Sequence, residues 1–358
     1  MTAVLSSPPP ELWMYIHKLA TEDIVPCDCA NPNDALSEFD MKRCLQIALS
    51  FRNVCKSWND MAHEILYENV WVNEGFESLT AALEDPETAC RVRRIRFSGA
   101  RYDQNAAILC QCPRVEVLVQ PECPRACQYP DRNTRLPSLP TLRELFWMQS
   151  HRSSEFLMNV LHAAPNLTHV CLSTSWTIGT DPNWAPIIPA LPHLASLELA
   201  RLSPPWVRAF LSIDLGRLMH LSIDPIHFRW AEFPELPALR TLSLVAPTGL
   251  PFSEIFERCP NVRELRYDVR SSIERPIEAV AHHLACVRLR LPVAQSNADL
   301  IGDHFRLLLE PAFPTLTHVI LEGLWGNALQ VRMQMNEDYG RLCDELRGRA
   351  GRLEFDAH

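Results

Sequence analysis

One short phrase, apolar-x-x-apolar-x-apolar, usually with a proline two places before its first apolar position, recurs along most of this chain. LPTLRELFW begins at Leu139, APNLTHVCL at Ala164, LPHLASLEL at Leu191, LGRLMHLSI at Leu215 and LPALRTLSL at Leu236. CPNVRELRY at Cys259, LACVRLRLP at Leu284 and FPTLTHVIL at Phe313 follow, and weaker copies stand upstream as CRVRRIRF at Cys90 and CPRVEVLVQ at Cys112. Taking the second apolar position as marker gives Ile95, Leu118, Leu145, Val170, Leu197, Leu221, Leu242, Leu265, Val287 and Val319. Successive markers lie 21 to 27 residues apart, with a last interval of 32. A period of this length means one small structural unit repeated, and no such unit can bury its own leucines without a neighbour.

Within the phrase, only a period of two puts Leu145 with Trp147, or Leu197 with Leu199, on one side, so each copy is expected to be a strand. Helix-like inserts separate the copies: SSEFLMNVLHAA, PPWVRAFLSI, PFSEIFERC and NADLIGDHFRLLLE. In the first, Phe156, Val160 and Ala163 share one helical face, with Ser153 or Ser154 available as a cap. A strand and a helix per repeat resembles the leucine-rich repeats, which implies an α/β solenoid with a curved parallel sheet. An ordinary doubly wound α/β domain is the alternative. The asparagine or cysteine that the repeat family places three residues after the second strand leucine is missing from nearly every copy.

The N-terminal region is organised differently. Pro8 to Pro10 preset φ for a first helical turn, Ser7 can cap it, and Glu11 sits near the positive end of the helix dipole. Leu12, Ile16 and Leu19 form an apolar stripe, and after a polar interval at 21–40 helical spacing resumes with Leu45, Ala48 and Leu49, then Val54, Trp58 and Ile65. PPPELWMYIHKLA followed by CLQIALSFRNVCKSWNDMAHEILYENVWV resembles an F-box, with Pro10, Glu11, Leu12, Ile16, Leu49, Val54, Cys55, Trp58, Leu66 and Trp71 at the matching positions. The whole chain resembles the F-box and leucine-rich-repeat proteins of the fungal type. Three parts are expected: a small three-helix F-box over 1–75 with its insert at about 21–40, a repeat solenoid over 76–335, and a C-terminal cap helix or tail over 336–358.

That resemblance implies a non-catalytic substrate receptor of a ubiquitin ligase. The F-box would dock on a Skp-family adaptor joined to a cullin scaffold, with Pro10, Leu12, Ile16, Leu49, Val54 and Trp58 as anchors, and the repeats would capture the protein to be ubiquitinated. The rival is a repeat scaffold outside the ubiquitin system, in which the same helices only cap the stack. Alternation of side chains assigns the concave face to the residues between the buried leucines. Those are Arg94, Arg96, Glu144, Phe146, Met148, His169, Cys171, Glu198, His220, Asp224, Glu264, Arg266, Asp268, Arg288, Arg290, His318 and Glu322. As candidate substrate contacts we single out Glu144, Phe146, Met148, His169, Glu198, His220, Asp224, Glu264, Arg266, Arg288 and Arg290. Trp147 occupies a core-type position.

Other chemistry is excluded or weakly signalled. With 34 Lys+Arg against 43 Asp+Glu the chain is acidic, and its mixed face lacks the basic stripe that nucleic acid would require. No apolar run is long enough for a membrane span and no signal sequence opens the chain, so a cytoplasmic or nuclear protein is expected. The 13 cysteines are an odd number and sit mostly in apolar segments, which suits reduced thiols. Cys110, Cys112, Cys123 and Cys127 leave open a zinc site, although C-x-C is an unusual first clamp. Dinucleotide, P-loop, GxSxG and HExxH motifs are absent, and 11 glycines leave little for a phosphate cradle. Asp303-His304 and His282-His283 have no evident catalytic partners. No catalytic residue, cofactor or metal is expected.

Overall fold

Each proline of the repeated phrase occupies the second place of a tight turn that aims the next strand. The amide of Leu142 donates to the carbonyl of Leu139, Leu194 to Leu191, Leu239 to Leu236, Val262 to Cys259 and Leu316 to Phe313. Proline fits that place because its ring presets φ, and both apolar ends of the turn point inward. Leu215-Gly216-Arg217-Leu218 makes the same bond with glycine in the proline position.

The computed structural model describes residues 66–72, 77–97, 102–121, 136–149, 154–174, 186–223, 233–244, 249–269, 272–273, 281, 283–291, 298–323 and 337–356, with Gln46, Ser50 and Lys56 as isolated helical positions. The six anchors expected in the F-box, the 21–40 insert and Asp224 lie outside the described residues. Two compact units are distinguished, 1–167 with 171–176, and 168–170 with 177–358.

The first unit contains β1 (Asn69–Val72), α1 (Glu77–Leu83), α2 (Pro86–Arg91), β2 (Arg94–Phe97), α3 (Tyr102–Gln111), β3 (Val117–Gln120), β4 (Glu144–Gln149) and α4 (Ser154–Ala163). Its strands β1, β2, β3 and β4 pair in chain order, all parallel. Asp85 caps α2 by accepting from the amides of Glu87 and Thr88, with Pro86 in the first turn, a strongly preferred start. Strand β5 (His169–Thr174) lies on the division between the units.

The second unit contains β6 (Ser196–Ala200), α5 (Pro204–Leu211), β7 (His220–Ile223), β8 (Thr241–Leu244), β9 (Gly249–Leu250), α6 (Phe252–Arg258), β10 (Glu264–Asp268) and β11 (Ser272–Ile273). It continues with β12 (Cys286–Leu291), α7 (Ala298–Leu308), β13 (His318–Gly323), α8 (Glu337–Ala350) and β14 (Arg352–Asp356). Strands β6, β7, β8, β10, β12, β13 and β14 pair in that order, again all parallel. The short β9 and β11 form a separate parallel pair. The architecture is α/β, with repeated parallel strands in a solenoid-like series. All ten marker residues stand second in their strands, and the four helix-like inserts are α4, α5, α6 and α7.

Successive strands are tied at their entrances by a shared carbonyl. The oxygen of Arg240 accepts from the amides of both Arg263 and Glu264, that of Arg263 from Ala285 and Cys286, and that of Ala285 from Thr317 and His318. The first unit repeats the device through Arg93 and Glu116. Side chains in the third place of the phrase add a second tie. Asn261 donates through Nδ2 to the carbonyl of Pro237 at 2.8 Å, and Asn166 likewise to Pro140 at 2.8 Å. Thr141 and Thr315 do the same with hydroxyls, to Val115 at 2.8 Å and to Leu284 at 3.0 Å.

Behind this edge lies the core. Leu197, Leu221, Leu242, Leu265 and Val287 are fully buried, as are Leu199, Ile223, Leu244, Tyr267 and Leu289 two places on. Helices cover that face: Trp147 packs on Phe156 of α4 at 5.7 Å between ring centroids, and Phe252 of α6 meets Tyr267 and Phe313 edge-on at 5.9 and 6.0 Å. Trp147 is therefore packing, as its position implies. His304 is also buried there, with Nδ1 3.2 Å from the Tyr267 hydroxyl.

Two strands extend the sheet beyond the recognised copies. Residues 69–72, assigned from sequence to the helical unit, form β1 and pair with β2. At the other end, the cap helix or tail expected over 336–358 is α8 followed by β14, which pairs with β13. Gly351, at φ 67°, turns the chain from the helix into that strand without a proline turn. Arg349 of α8 ties this last segment to the end of α7, donating to the carbonyls of Leu309 and Glu310.

Leu265→Ala empties a fully buried site between two strands and should cost about 2–5 kcal/mol. Asn261→Ala removes only one partly exposed rung and should cost about 1 kcal/mol. Urea unfolding of the two variants would give that order.

Candidate functional site

Side chains that alternate with the buried leucines form one face per unit, and most of them are half-buried rather than fully covered. In the first unit Trp71, Val117 and Phe146 pack against Val119, which is fully buried although it points away from the leucine core. Register explains the cluster, because Trp71 stands beside Arg96, Arg96 beside Val119 and Val119 beside Phe146 on neighbouring strands. Met148 is half-buried on β4. Glu144 is half-buried; loss of solvent raises its carboxyl above the usual range, against the opposing pull of Arg94. Arg96 is buried, and Arg93 pairs with Glu116 at 2.8 Å.

The corresponding face of the second unit is polar. Glu198, Ser222 and Ser243 succeed one another in register on β6, β7 and β8, with His220 exposed beside them. His169 is half-buried, and burial, reinforced by the neighbouring His220, lowers its pKa to about 4. Cys171, expected on the concave face, is buried on β5.

From β10 onward the face becomes an ion-pair lattice. Arg288 donates through Nε to Glu264 at 2.5 Å and through Nη1 to Glu322 at 3.3 Å. Arg266 reaches the other oxygen of Glu322 at 2.8 Å, and Arg290 donates through Nε to Asp268 at 2.5 Å. Asp268, Arg290 and Glu322 stand three places after Leu265, Val287 and Val319, where the repeat family would place asparagine or cysteine. Here charged pairs between neighbouring strands occupy those positions. Of the contacts expected from sequence, the structure brings together Glu264, Arg266, Arg288 and Arg290. Glu144, Phe146 and Met148 form a separate group on β4, and Glu198, His169 and His220 sit on other strands. Trp71 was missed as a member of this face because it falls outside the repeated phrase.

Four of the described cysteines, Cys112, Cys171, Cys259 and Cys343, are buried. Cys112 is buried, its thiol pushed up to about 12 chiefly by desolvation, whereas Cys110 is exposed at the end of α3. Cys123 and Cys127 lie outside the described residues. Among the described residues no group of three or more His, Cys, Asp or Glu is arranged to hold a metal ion. No helix among them is long and apolar enough to cross a membrane.

No protein-family model matches the chain, and no curated protein matches it either. Among solved structures, the chain is similar to a Bacteroides fragilis protein determined by the Northeast Structural Genomics Consortium, at 14% identity over 90% of this chain and 83% of that one, with a TM-score of 0.40.

A histidine held neutral by burial stabilises the fold fully above its unfolded pKa, near 6.5, and that contribution is lost as pH falls from there towards about 4. NMR titration of His169 should show a midpoint near 4, and His220→Gln should move it upward. A midpoint near 6.5 in the intact chain would contradict the burial that the strand imposes.

Proposed function

We propose that this chain is a non-catalytic receptor that captures a protein on the exposed face of its repeated strands and presents it to a ubiquitin-ligase assembly. The observation that carries the capture half is the strand face itself. Its backbone repeats, yet its side chains change from Trp71, Phe146 and Met148 to serines and then to paired arginines and carboxylates. A face that only held repeats together would have no need of such variety, whereas recognition of one particular surface requires it. Aromatic residues, methionine and arginine are also the types enriched at protein interfaces.

The assembly half rests on the F-box resemblance of the N-terminal segment. Pro10, Leu12, Ile16, Leu49, Val54 and Trp58 would fill pockets of a Skp-family adaptor, as helices do when they enter an apolar groove. The adaptor would connect the chain to a cullin scaffold, and transfer chemistry would reside in other subunits. Every cysteine among the described residues is a free thiol, which suits the reducing cytosol or nucleus where such assemblies would work.

Purified chain should retain a Skp-family adaptor in a pull-down. A Leu12→Ala/Ile16→Ala/Trp58→Ala variant, shown by circular dichroism to keep its secondary structure, should lose it at least tenfold. Failure of the intact chain to bind would leave the non-ubiquitin scaffold, with its N-terminal helices as a cap, as the better account.

A further inference from the structure

The lattice on β10, β12 and β13 is layered, and the layering says what it can bind. Side-chain exposure is 34% for Arg266, 33% for Arg288 and 34% for Arg290, against 4% for Asp268 and 11% for Glu322. Two of the three acids are therefore sunk beneath the arginines, and only Glu264, at 32%, stands level with them. The six charges balance overall, but the layer facing solvent carries three guanidinium groups against one carboxylate. Arg290 uses only Nε on Asp268, so both terminal nitrogens are uncommitted; Arg266 uses only Nη2, and Arg288 keeps Nη2.

We propose that these three arginines form a binding site for an acidic, extended segment of a partner protein, its carboxylates engaging the outward N–H groups. Guanidinium groups fixed from beneath are already oriented, so less side-chain freedom is lost when a carboxylate meets them. Spacing selects an extended chain. Arg288 and Arg290 are two residues apart on one strand, about 6.6 Å, which is the repeat of side chains on one face of any extended segment. Arg266 is the register neighbour of Arg288, about 4.8 Å away across the sheet. Carboxylate suits the site better than phosphate, because the sunken Asp268 and Glu322 would repel a dianion more strongly than a monoanion. This deepens the capture reading by naming the class of target, and it is independent of adaptor docking.

The test uses the full chain and a short fluorescein-labelled peptide of alternating glutamate and serine, followed by fluorescence anisotropy. Binding is expected, weakening as salt rises. Arg290→Gln alone would remove the arginine that faces the buried Asp268 carboxylate, so the decisive variant is Asp268→Asn/Arg290→Gln, which removes both charges together. It should stay folded and bind at least about fivefold more weakly, the effect expected for one lost charge-assisted contact. Arg290→Lys, which keeps the charge but loses the fork, should fall between. Four results would each overturn the assignment: no binding by the intact chain, equal binding by the folded double variant, equal binding of a lysine–serine peptide, or binding confined to a phosphoserine peptide. Adaptor pull-down on the same preparations separates the two ideas, since a chain that retains adaptor but not acidic peptide loses only this one.

Discussion

The carbonyl immediately before most of the strands, shared by two amides of the next repeat, is the interaction on which the rest of the fold depends. One oxygen accepting two N–H groups fixes both the approach and the register of the incoming strand. A shift of one residue would turn the leucines outward and the arginines inward. The proline turn delivers the chain to that point, and Asn166, Asn261, Thr141 and Thr315 hold the turn to the previous repeat. Leucine burial supplies most of the driving force, but it has no direction; the edge bonds supply direction.

Much of this order was legible in the sequence because it is local. Leu-Pro-x-Leu encodes a turn within four residues, and the following alternation encodes a strand, so every marker from Ile95 to Val319 stands second in a strand. Residues 69–72 and 352–356 were not recognised because each enters its strand by another route. NVWV follows a helical stretch directly, and RLEFD is entered through Gly351 in the left-handed region. Neither begins with the apolar-x-x-apolar turn that opens the repeated phrase, although the strand geometry is the same.

The candidate face was legible as a set of positions but not as a set of partners. Alternation places Glu264, Arg266, Arg288 and Arg290 on one side of the sheet. Their pairing depends on residues 22 to 56 places apart in the chain being brought level, and no local pattern states that register. The same holds for Trp71, which meets Val119 only because β1, β2 and β3 are aligned as they are. The absence of the repeat family's asparagine was legible, whereas its replacement by Asp268 paired with Arg290, and by Glu322 paired with Arg266 and Arg288, became visible only in three dimensions.

That replacement is costly if stability is its only purpose. Sinking Asp268 and Glu322 beneath the surface forfeits their hydration, and pairing with arginine returns that loss only when geometry is good. Apolar residues of similar size at these positions would serve the stack at least as well, as the leucines and valines beside them show. What the charged pairs provide, and apolar residues cannot, is a set of cationic side chains held close together at a sheet surface against their mutual repulsion. The buried acids make that arrangement tolerable, and the arginine edges they leave exposed are the part of the lattice that packing alone does not explain.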